Sequence, residues 1–355
     1  MENLVIKKFQ DIFKDKRILI IGNTGFVGSW LSLSLNFFQA KILGLSLKMK
    51  NNKYLSNSKE FQKKIKTIYA DINDFKHFKN KIKKFNPEIV IHLASQPIVK
   101  TGYIYPLETF ETNIFGTIRI LELLKKMPSV KQVLIFTSDK VYANKKRKIY
   151  TEEANLGGLD PYSASKSCQD IISQSYAKSF FKSKKMIILR SGNIIGGGDW
   201  SENRIIPDIV KSYINKKILK IRSINSTRPW IHILDVIHAI LLILGKKSNH
   251  KKRDDLIFNL SPSTSRQVSV KKIIELIKEN TVIKNIRLKI VNRKFSEKKY
   301  LNISSKRAFL KLNWKTKLSL ERSLKLTINF YLTKKKILIN TAENQIKEYF
   351  SNKLK

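Results

Sequence analysis

The sequence predicts an α/β fold, in which a doubly wound parallel sheet is followed by a smaller, mostly C-terminal domain. Three observations support this prediction. Residues 17–192 alternate between short β-rich runs and amphipathic helical segments, which requires crossover connections between parallel strands. After residue 192 the pattern changes to a glycine-rich loop and mostly helical segments. With 355 residues, 42% of them hydrophobic, the chain can also bury a large core.

The elements follow from hydrophobic periodicity and from the turn residues between the runs. The predicted strands are residues 17–21, 41–47, 67–70, 88–93, 132–137, 186–191 and 256–260. The clearest predicted helices are residues 26–37, 112–126, 207–216, 269–279 and 320–331, which mix apolar and polar positions at helical spacing. The Lys-rich tail after Leu332 is predicted to end in a solvated helix.

The charge of the chain is strongly basic, with 70 Lys and Arg against 27 Asp and Glu and a formal net charge of +43. A basic face can bind nucleic acid by releasing counterions from the phosphates. The basic residues are scattered along the whole chain, however, and no nucleic-acid motif accompanies them. We therefore interpret the charge as spread over a solvated surface and expect no nucleic-acid partner.

Composition also argues against membrane, disulfide and metal classes. No stretch reaches the roughly 20 uncharged apolar residues that a membrane span needs, and the nearest candidate contains His232, Asp235 and His238. The N-terminal segment is charged and lacks the apolar core of a signal peptide. A single cysteine, Cys168, excludes an intramolecular disulfide and a cysteine-cluster metal site. We expect a cytoplasmic protein with no membrane partner and no metal.

A glycine-rich motif follows the first predicted strand directly. Its residues are Gly22, Asn23, Thr24, Gly25, Phe26, Val27 and Gly28, and a predicted helix follows. Glycines at this spacing make the turn, let the backbone approach a pyrophosphate and let the helix pack on the strand. The helix N-terminus adds free N–H groups and a partial positive charge. These seven residues therefore predict a Rossmann-type dinucleotide site.

The second predicted strand lacks the acidic residue that usually binds a ribose 2′-hydroxyl. It ends in Ser46 and Leu47, and Lys48 and Lys50 follow. The residues alone therefore leave the choice between NAD and NADP open. Asp71, after the third strand, is a candidate contact for the adenine. We expect Ile72, Leu93 and Ala94, which also lie at strand ends, to line the same site.

Tyr162 and Lys166 are the candidate catalytic pair. The Tyr-x-x-x-Lys spacing occurs five times in this lysine-rich chain, but only here does it follow Asp160-Pro161, an N-cap and a first helical residue. One helical turn then puts the two side chains next to each other. The strand 132–137 delivers Ser138 at its C-terminal end, where open α/β sheets bind ligands. Lys166 and an oxidised nicotinamide would both favour the phenolate, so that Tyr162 can act as a base toward a sugar hydroxyl.

These residues, with several further segments, resemble the extended short-chain dehydrogenases/reductases. The shared segments are the glycine motif, His92-Leu93-Ala94-Ser95-Gln96-Pro97, Pro106-Leu107-Glu108-Thr109 with Asn113, and Tyr162-Ser163-Ala164-Ser165-Lys166. Within that family, Ser138-Asp139-Lys140, Gly196-Gly197-Gly198-Asp199-Trp200 and Thr227-Arg228-Pro229-Trp230 are similar to CDP-glucose 4,6-dehydratases. The resemblance covers roughly residues 16–332.

The resemblance implies a tightly bound NAD that is recycled in each turnover, a nucleotide-sugar substrate with CDP-glucose favoured, and a homodimer. By analogy, Tyr162 deprotonates the C4 hydroxyl while hydride leaves C4, and Asp139 is the acid for the departing C6 hydroxyl. Lys140 stands where related dehydratases have a glutamate base. It can act as a base only if its pKa is depressed, and otherwise positions the substrate while another group takes the proton.

The resemblance also implies a set of substrate contacts. These are Gln96, Asn113, Asn193, Arg204 and Arg228, with the Arg228 fork suited to the diphosphate. A nucleotide-sugar epimerase or reductase would need Ser138, Tyr162 and Lys166 but no elimination acid, and Asp139 argues against it. A non-catalytic nucleotide or nucleic-acid binding protein is the alternative from a different class.

The predicted domains are interleaved along the chain. Residues 17–192 and about 231–260 are expected to form the NAD-binding domain. Residues of about 193–230 and 261–345 are expected to form the substrate-binding domain. Residues 1–16 and 346–355 are expected to be terminal extensions.

Overall fold

A computed structural model describes residues 2–50, 53–143, 149–246, 257–262, 268–291 and 300–354. The strands of its main sheet are β1 (Arg17–Ile21), β2 (Lys41–Ser46), β3 (Lys66–Tyr69), β4 (Ile89–His92), β5 (Gln132–Phe136), β6 (Lys185–Ser191) and β11 (Ile257–Leu260). All neighbouring pairs are parallel, in the order β3-β2-β1-β4-β5-β6-β11. The seven predicted strands are confirmed, with ends shifted by one residue at most among the described residues.

One helix precedes β1, and helices follow most of the strands. They are α1 (Glu2–Phe13), α2 (Phe26–Phe37), α3 (Lys59–Lys64), α4 (Phe75–Phe85), α5 (Val99–Ile104), α6 (Pro106–Phe110), α7 (Gly116–Lys125), α8 (Pro161–Ser179), α9 (Ile205–Ile214), α10 (Ile233–Gly245), α11 (Val270–Asn280), α12 (Lys306–Leu312), α13 (Leu320–Leu332) and α14 (Leu338–Phe350). A π-helical turn, Glu111–Phe115, joins α6 to α7 and interrupts the helix predicted for residues 112–126. In the described ranges, no helix combines the length and the apolar character that crossing a membrane requires.

Helices cover both faces of the sheet, which confirms the doubly wound α/β fold. One face packs against apolar residues of α2, α10 and α14. The other packs against α4, α7 and α8, through residues such as Phe78, Ile120 and Ile172. Alternate side chains of each strand point to opposite faces, so the strands are buried on both sides and read as nearly continuous apolar runs.

The C-terminal helix α14 is packed into the core, and the prediction of a solvated helix there was wrong. Ile339, Ala342, Ile346 and Phe350 are buried at this face of the sheet. Their spacing of three or four residues makes one apolar stripe, which the high lysine content of the tail obscured. The N-terminal helix α1, which was not predicted, buries Phe9 and Phe13 at the same place, and the Phe9 and Phe350 rings lie 5.6 Å apart.

A smaller lobe lies beside the C-terminal ends of the strands. Its core joins α9, α11 and α13 to the three-residue strand β8 (Leu219–Ile221). Short strands pair within it: β7 (Ile194–Ile195) with β10 (Ile231–His232), β9 (Thr227–Arg228) with β12 (Val268–Ser269), and β8 with β13 (Leu288–Ile290). The division of the chain into a cofactor domain and a substrate domain stays a prediction. The two cores leave between them a cavity of about 960 Å³.

Candidate active site

The glycine motif forms a close-fitting turn at one end of the cavity. Gly22 has φ +92°, and a Cβ atom there would lie 2.7 Å from the Ala94 backbone nitrogen. A Cβ atom on Gly28 would overlap the Gly22 carbonyl. Helix α2 begins at Phe26, so the N–H groups of its first turn have no partner within the helix. This cradle fits the pyrophosphate of a dinucleotide, whose oxygens need such donors at close range.

The predicted cofactor residues lie around this turn, with one exception. The cavity is lined by Gly22, Thr24, Gly25, Phe26, Val27, Gly28, Asp71, Ile72, Leu93, Ala94, Tyr162 and Lys166. Asn23 does not line it, because its buried side chain donates to Thr67 Oγ1 at 2.8 Å and ties the turn to β3. At the end of β2, where an acidic residue usually stands, the Ser46 hydroxyl lies 2.6 Å from Thr24 Oγ1.

Ser138, Asp139, Lys140 and Tyr162 come together at the C-terminal end of β5. Ser138 Oγ donates to Asp139 Oδ1 at 3.1 Å, accepts from the Lys140 backbone nitrogen at 3.2 Å, and forms a hydrogen bond with the Tyr162 side chain. Lys140 Nζ lies 5.8 Å from the centre of the Tyr162 ring. Asp139 and Tyr162 are buried, whereas Lys140 is half-buried. A phenol, a hydroxyl and a carboxyl group therefore lie side by side at the cavity wall.

Helix α8 holds the tyrosine and the lysine as its sequence predicts. Asp160 caps the helix by accepting from the Ser163 backbone nitrogen at 2.9 Å, and Pro161 is the first helical residue. Tyr162 and Lys166 are therefore one turn apart on the face that packs toward β5. The Lys166 amine donates to the Phe136 carbonyl at 3.1 Å, at the end of that strand.

Burial dominates the electrostatics of this pair. It raises the pKa of Tyr162 to about 12; Asp139 and Asp160 act in the same direction, while the Ser138 hydrogen bond and Arg204 oppose it. Burial also lowers the pKa of Lys166 to about 7, against the attraction of Asp170. Without a bound nicotinamide the phenol therefore stays protonated near neutral pH, and the phenolate expected in its presence stays a prediction. The phenol needs a further positive charge beside it to ionise there.

The predicted substrate contacts divide into two groups. Asn193, Arg204 and Arg228 line the cavity. Gln96 lines it too, but its carboxamide donates to Thr109 Oγ1 at 2.8 Å and accepts from the Ile98 backbone nitrogen at 2.6 Å. Asn113 is fully buried and does not line the cavity. Its side chain accepts from the Gln96 nitrogen and donates to Ser165 Oγ, both at 2.8 Å, so its place fits support of the loop after β4 rather than direct contact with a substrate.

Several cavity residues were not predicted. Asp199 accepts from Arg204 Nη1 at 2.7 Å, and its backbone carbonyl accepts from the Tyr331 hydroxyl, so that Arg204 is held at the cavity wall. Arg222 and Asp208 line the end of the cavity near β8, and burial raises the pKa of Asp208 to about 6. Asp199 lies in the segment Gly196-Gly197-Gly198-Asp199-Trp200, which carries part of the family resemblance, but no contact was assigned to it. Arg222 follows a three-residue strand whose pattern is too short to detect.

The profile of the family described as GDP-mannose 4,6 dehydratase matches residues 19–327. The chain belongs to this family. The family is one of the extended short-chain dehydrogenases/reductases, which confirms that resemblance. A CDP-glucose 4,6-dehydratase of Salmonella typhimurium is 34% identical over 274 residues, which cover 75% of this chain and 76% of the relative. This member of the GDP-mannose 4,6-dehydratase family is thus an enzyme of the nucleotide-sugar 4,6-dehydratase type.

Solved structures resemble this dehydratase-family chain over most of its length. A dTDP-glucose 4,6-dehydratase from Bacillus anthracis, in complex with NAD, has a TM-score of 0.74 at 23% identity and covers 89% of this chain and 96% of its own. A UDP-glucose 4-epimerase from Thermotoga maritima, with UDP-glucose, has a TM-score of 0.77 at 22% identity and covers 89% and 98%. At these identities the likeness shows the fold alone, and both dehydratases and epimerases share it.

Proposed function

We propose that this enzyme catalyses the NAD-dependent 4,6-dehydration of a nucleotide-activated hexose, converting CDP-glucose to CDP-4-keto-6-deoxyglucose. The observation that carries the proposal is the placement of the Asp139 carboxyl group within hydrogen-bond distance of Ser138, which itself contacts Tyr162. Oxidation at C4 needs a base and a hydroxyl, whereas loss of water also needs an acid. A 4-epimerase has no use for that third group. The relative named CDP-glucose 4,6-dehydratase supports the choice of sugar and nucleotide.

The residues around the glycine turn would hold NAD. The backbone of Gly22, Gly25 and Gly28 and the first turn of α2 suit the pyrophosphate, and Asp71 and Ile72 suit the adenine end. Leu93, Ala94, Tyr162 and Lys166 lie toward the catalytic end. When bound, NAD would supply the oxidant that accepts hydride from C4 and, once water has left, the reductant that returns this hydride to C6, together with a positive charge beside Tyr162. Preference for NAD over NADP rests on the family, since Ser46 replaces the acidic residue after β2.

The roles of the catalytic side chains follow from their contacts. Tyr162 takes the proton of the C4 hydroxyl, and Ser138, which touches the phenol, holds the same oxygen. The 4-ketone that results acidifies the C5 proton. Asp139 then gives a proton to the C6 hydroxyl as water leaves. Lys140, near the Tyr162 ring, takes the C5 proton or positions the sugar for another group.

Cations at the far end of the cavity suit the diphosphate of the substrate. Lys220, Arg222 and Arg228 line that end, and Arg228 Nη1 is oriented by the Thr227 carbonyl at 2.8 Å. A guanidinium group binds two phosphate oxygens at once, which aligns the sugar with Tyr162. Asn193 and Arg204 lie on the wall between the two ends and would contact the sugar.

We also propose a homodimer. Apolar side chains are exposed on neighbouring elements of one face: Leu107 on α6 is 70% exposed, and Phe115 in the π-helical turn and Ile171 on α8 are each 52% exposed. Because α8 packs beside α6 and this turn, the three elements form one continuous surface. A second copy with the same surface would cover it by two-fold symmetry. Sedimentation of the wild type beside Ile171→Glu tests this, and a wild-type monomer would refute it.

Mass spectrometry of reaction mixtures tests the proposed reaction. The purified protein is incubated separately with CDP-glucose, TDP-glucose, UDP-glucose and GDP-mannose, with Tyr162→Phe as the matched inactive control. Loss of one water from CDP-glucose, and from no other sugar, is the expected result. Water loss from a different sugar would keep the reaction and overturn the substrate. Dinucleotide found bound, with no water lost from any sugar, would overturn the dehydratase assignment.

A further inference from the structure

A chain of buried polar groups lies behind Lys166, on the side away from the cavity. Lys166 Nζ donates to Gln169 Oε1 at 2.7 Å, and Gln169 Nε2 donates to Thr117 Oγ1 at 2.8 Å. Gln169, Thr117 and His92 are each 0% exposed. Fully buried polar groups that no solvent reaches must satisfy one another, so the positions of their hydrogens can be worked out.

The hydrogen atoms of these hydrogen-bonded side chains have one consistent arrangement. Thr117 has a single hydroxyl hydrogen and donates it to the Asn113 carbonyl at 2.8 Å. Thr117 Oγ1 therefore accepts from Gln169 Nε2 and from His92 Nε2, the latter at 3.0 Å. His92 must then carry its hydrogen on Nε2, which leaves its buried Nδ1 without a hydrogen-bond partner among the residues that the structure describes. Burial lowers the pKa of His92 to about 3, with the Lys166 charge adding to the effect, so the ring stays neutral.

This arrangement fixes the orientation of the Gln169 side chain from both ends. Thr117 can only accept from the carboxamide, and a Lys166 ammonium can only donate to it. If the carboxamide were flipped, its NH₂ group would face the Lys166 ammonium, and two donors would oppose each other. Its oxygen would face Thr117 Oγ1, which could donate to it only by breaking the hydrogen bond to the Asn113 carbonyl. Gln169 therefore offers a neutral, immobile acceptor to the catalytic lysine.

We propose that Gln169 is a positioning residue that stabilises the charged form of Lys166, with Thr117 and His92 holding its carboxamide in place. Its effect on catalysis rests on the function proposed above, in which the Lys166 charge favours the Tyr162 phenolate. Gln169 is fully buried and does not line the cavity, so it acts only through the lysine. Neither the glycine motif nor the Tyr-x-x-x-Lys spacing assigns it a role.

The groups that face Lys166 make a neutral acceptor necessary. Burial lowers the pKa of this lysine to about 7, and the charged groups near it offset that only in part. Asp170, on the same helix, attracts its charge but is engaged by Arg190 of β6. His92 on β4 is neutral, and the Tyr162 phenol one turn earlier is protonated until the reaction begins. Gln169 and the Phe136 carbonyl are the acceptors that the amine contacts in the described part of the chain.

Two opposite substitutions separate this role from a purely structural one. Gln169→Leu removes the acceptor, so the pKa of Lys166 should fall and activity should be lost at a lower pH. Gln169→Glu places an anion there, and the Thr117 hydroxyl can turn to donate to it, so activity should persist to a higher pH. We expect the alkaline limb of the kcat profile to move by about one pH unit in each direction, which is about tenfold in rate at a fixed pH on that limb.

Ser173→Ala is the matched control, because Ser173 is buried on the same helix and its side chain donates to the Gln169 backbone carbonyl alone among its described contacts. It should not move the profile. If Gln169→Leu does not fold, Gln169→Met retains the length of the side chain and removes the same acceptor. Shifts of the same sign in the two Gln169 substitutions, or no shift in either, would overturn the proposal.

A second measurement requires no catalysis. In cofactor-free protein with isotope-labelled lysine Cε atoms, NMR spectra follow lysine titrations, and burial lowers the pKa of Lys166 to about 7 and that of Lys185 to about 8, well below the value of about 10.4 for a free lysine. The resonance of interest is the one that titrates near pH 7. Its absence in Lys166→Met assigns it. Opposite movements of this titration in Gln169→Leu and Gln169→Glu support the inference even if no sugar is dehydrated. An unmoved titration in an active dehydratase would overturn the inference and leave the proposed function intact.

Discussion

The ion pair between Arg190 and Asp170 anchors the catalytic helix, and breaking it should be strongly destabilising. Asp170 of α8 accepts from Arg190 Nε at 2.7 Å and Nη2 at 2.8 Å, and the two side chains are 1% and 0% exposed. In Arg190→Met the carboxylate remains buried, and Thr137 and Gln174 are the side chains left to donate to it among the described residues. Removing one partner of such a pair costs about 3–5 kcal/mol of unfolding free energy, because an uncompensated charge stays in the core.

Removing both charges should cost less than removing one. In the double variant Arg190→Met/Asp170→Leu, neither member of the ion pair remains as an unpaired charge, although Lys166 loses the attraction of Asp170. Thr137 Oγ1 remains 3.4 Å from the Leu189 carbonyl, and Tyr142 still donates to Asn259 at 2.6 Å. The Glu152 carbonyl loses the Arg190 donor at 3.0 Å, so recovery should be incomplete by about 1–3 kcal/mol. We expect the double variant to be at least about 1 kcal/mol more stable than Arg190→Met.

Urea unfolding followed by tryptophan fluorescence measures these differences. Lys64→Met is the control, because Lys64 pairs with Glu343 at the same 2.7 Å but with side chains 39% and 30% exposed. It should cost less than about 1 kcal/mol, since solvent screens the pair. A cost for Arg190→Met as small as that of Lys64→Met, or a double variant no more stable than the single one, would refute the argument from buried charge.

Three further predictions concern the proposed reaction. Tyr162→Phe should lower turnover by about 10²–10⁴-fold while the dinucleotide stays bound. Product formation and cofactor absorbance measure the two effects. Near-normal turnover would show that Tyr162 is not the base. Asp139→Asn should spare oxidation at C4 and slow water loss, so that reduced cofactor accumulates under steady state. Equal slowing of both steps would contradict its role as acid. Gly22→Val should leave the folded protein without bound dinucleotide, because the added Cβ atom would lie 2.7 Å from the Ala94 backbone nitrogen. Full dinucleotide occupancy in this variant would disprove the role of the glycine turn in binding the pyrophosphate.

The parts of the fold that could be predicted are those encoded locally. The apolar runs of the sheet and the Asp160-Pro161 start of α8 depend on neighbouring residues, and the structure confirms both. The direction in which a polar side chain points depends on residues that are distant in the sequence. Asn113 and Gln96 match a substrate-binding pattern, yet they bind each other, because the loop after β4 folds back on the π-helical turn. The pKa of Tyr162 likewise depends on burial that only the assembled lobes create.

Helix α14 also has a consequence for the order in which the protein matures. It packs on α2, whose first turn forms part of the glycine cradle, so that support for the cradle comes from residues near position 350. During synthesis those residues leave the ribosome long after the glycine motif itself. The unfinished chain therefore has the binding turn but not the full packing beneath it. Secure capture of the cofactor therefore follows the synthesis of α14, and a substitution that disturbs α14 acts on a binding turn formed by residues 22–28.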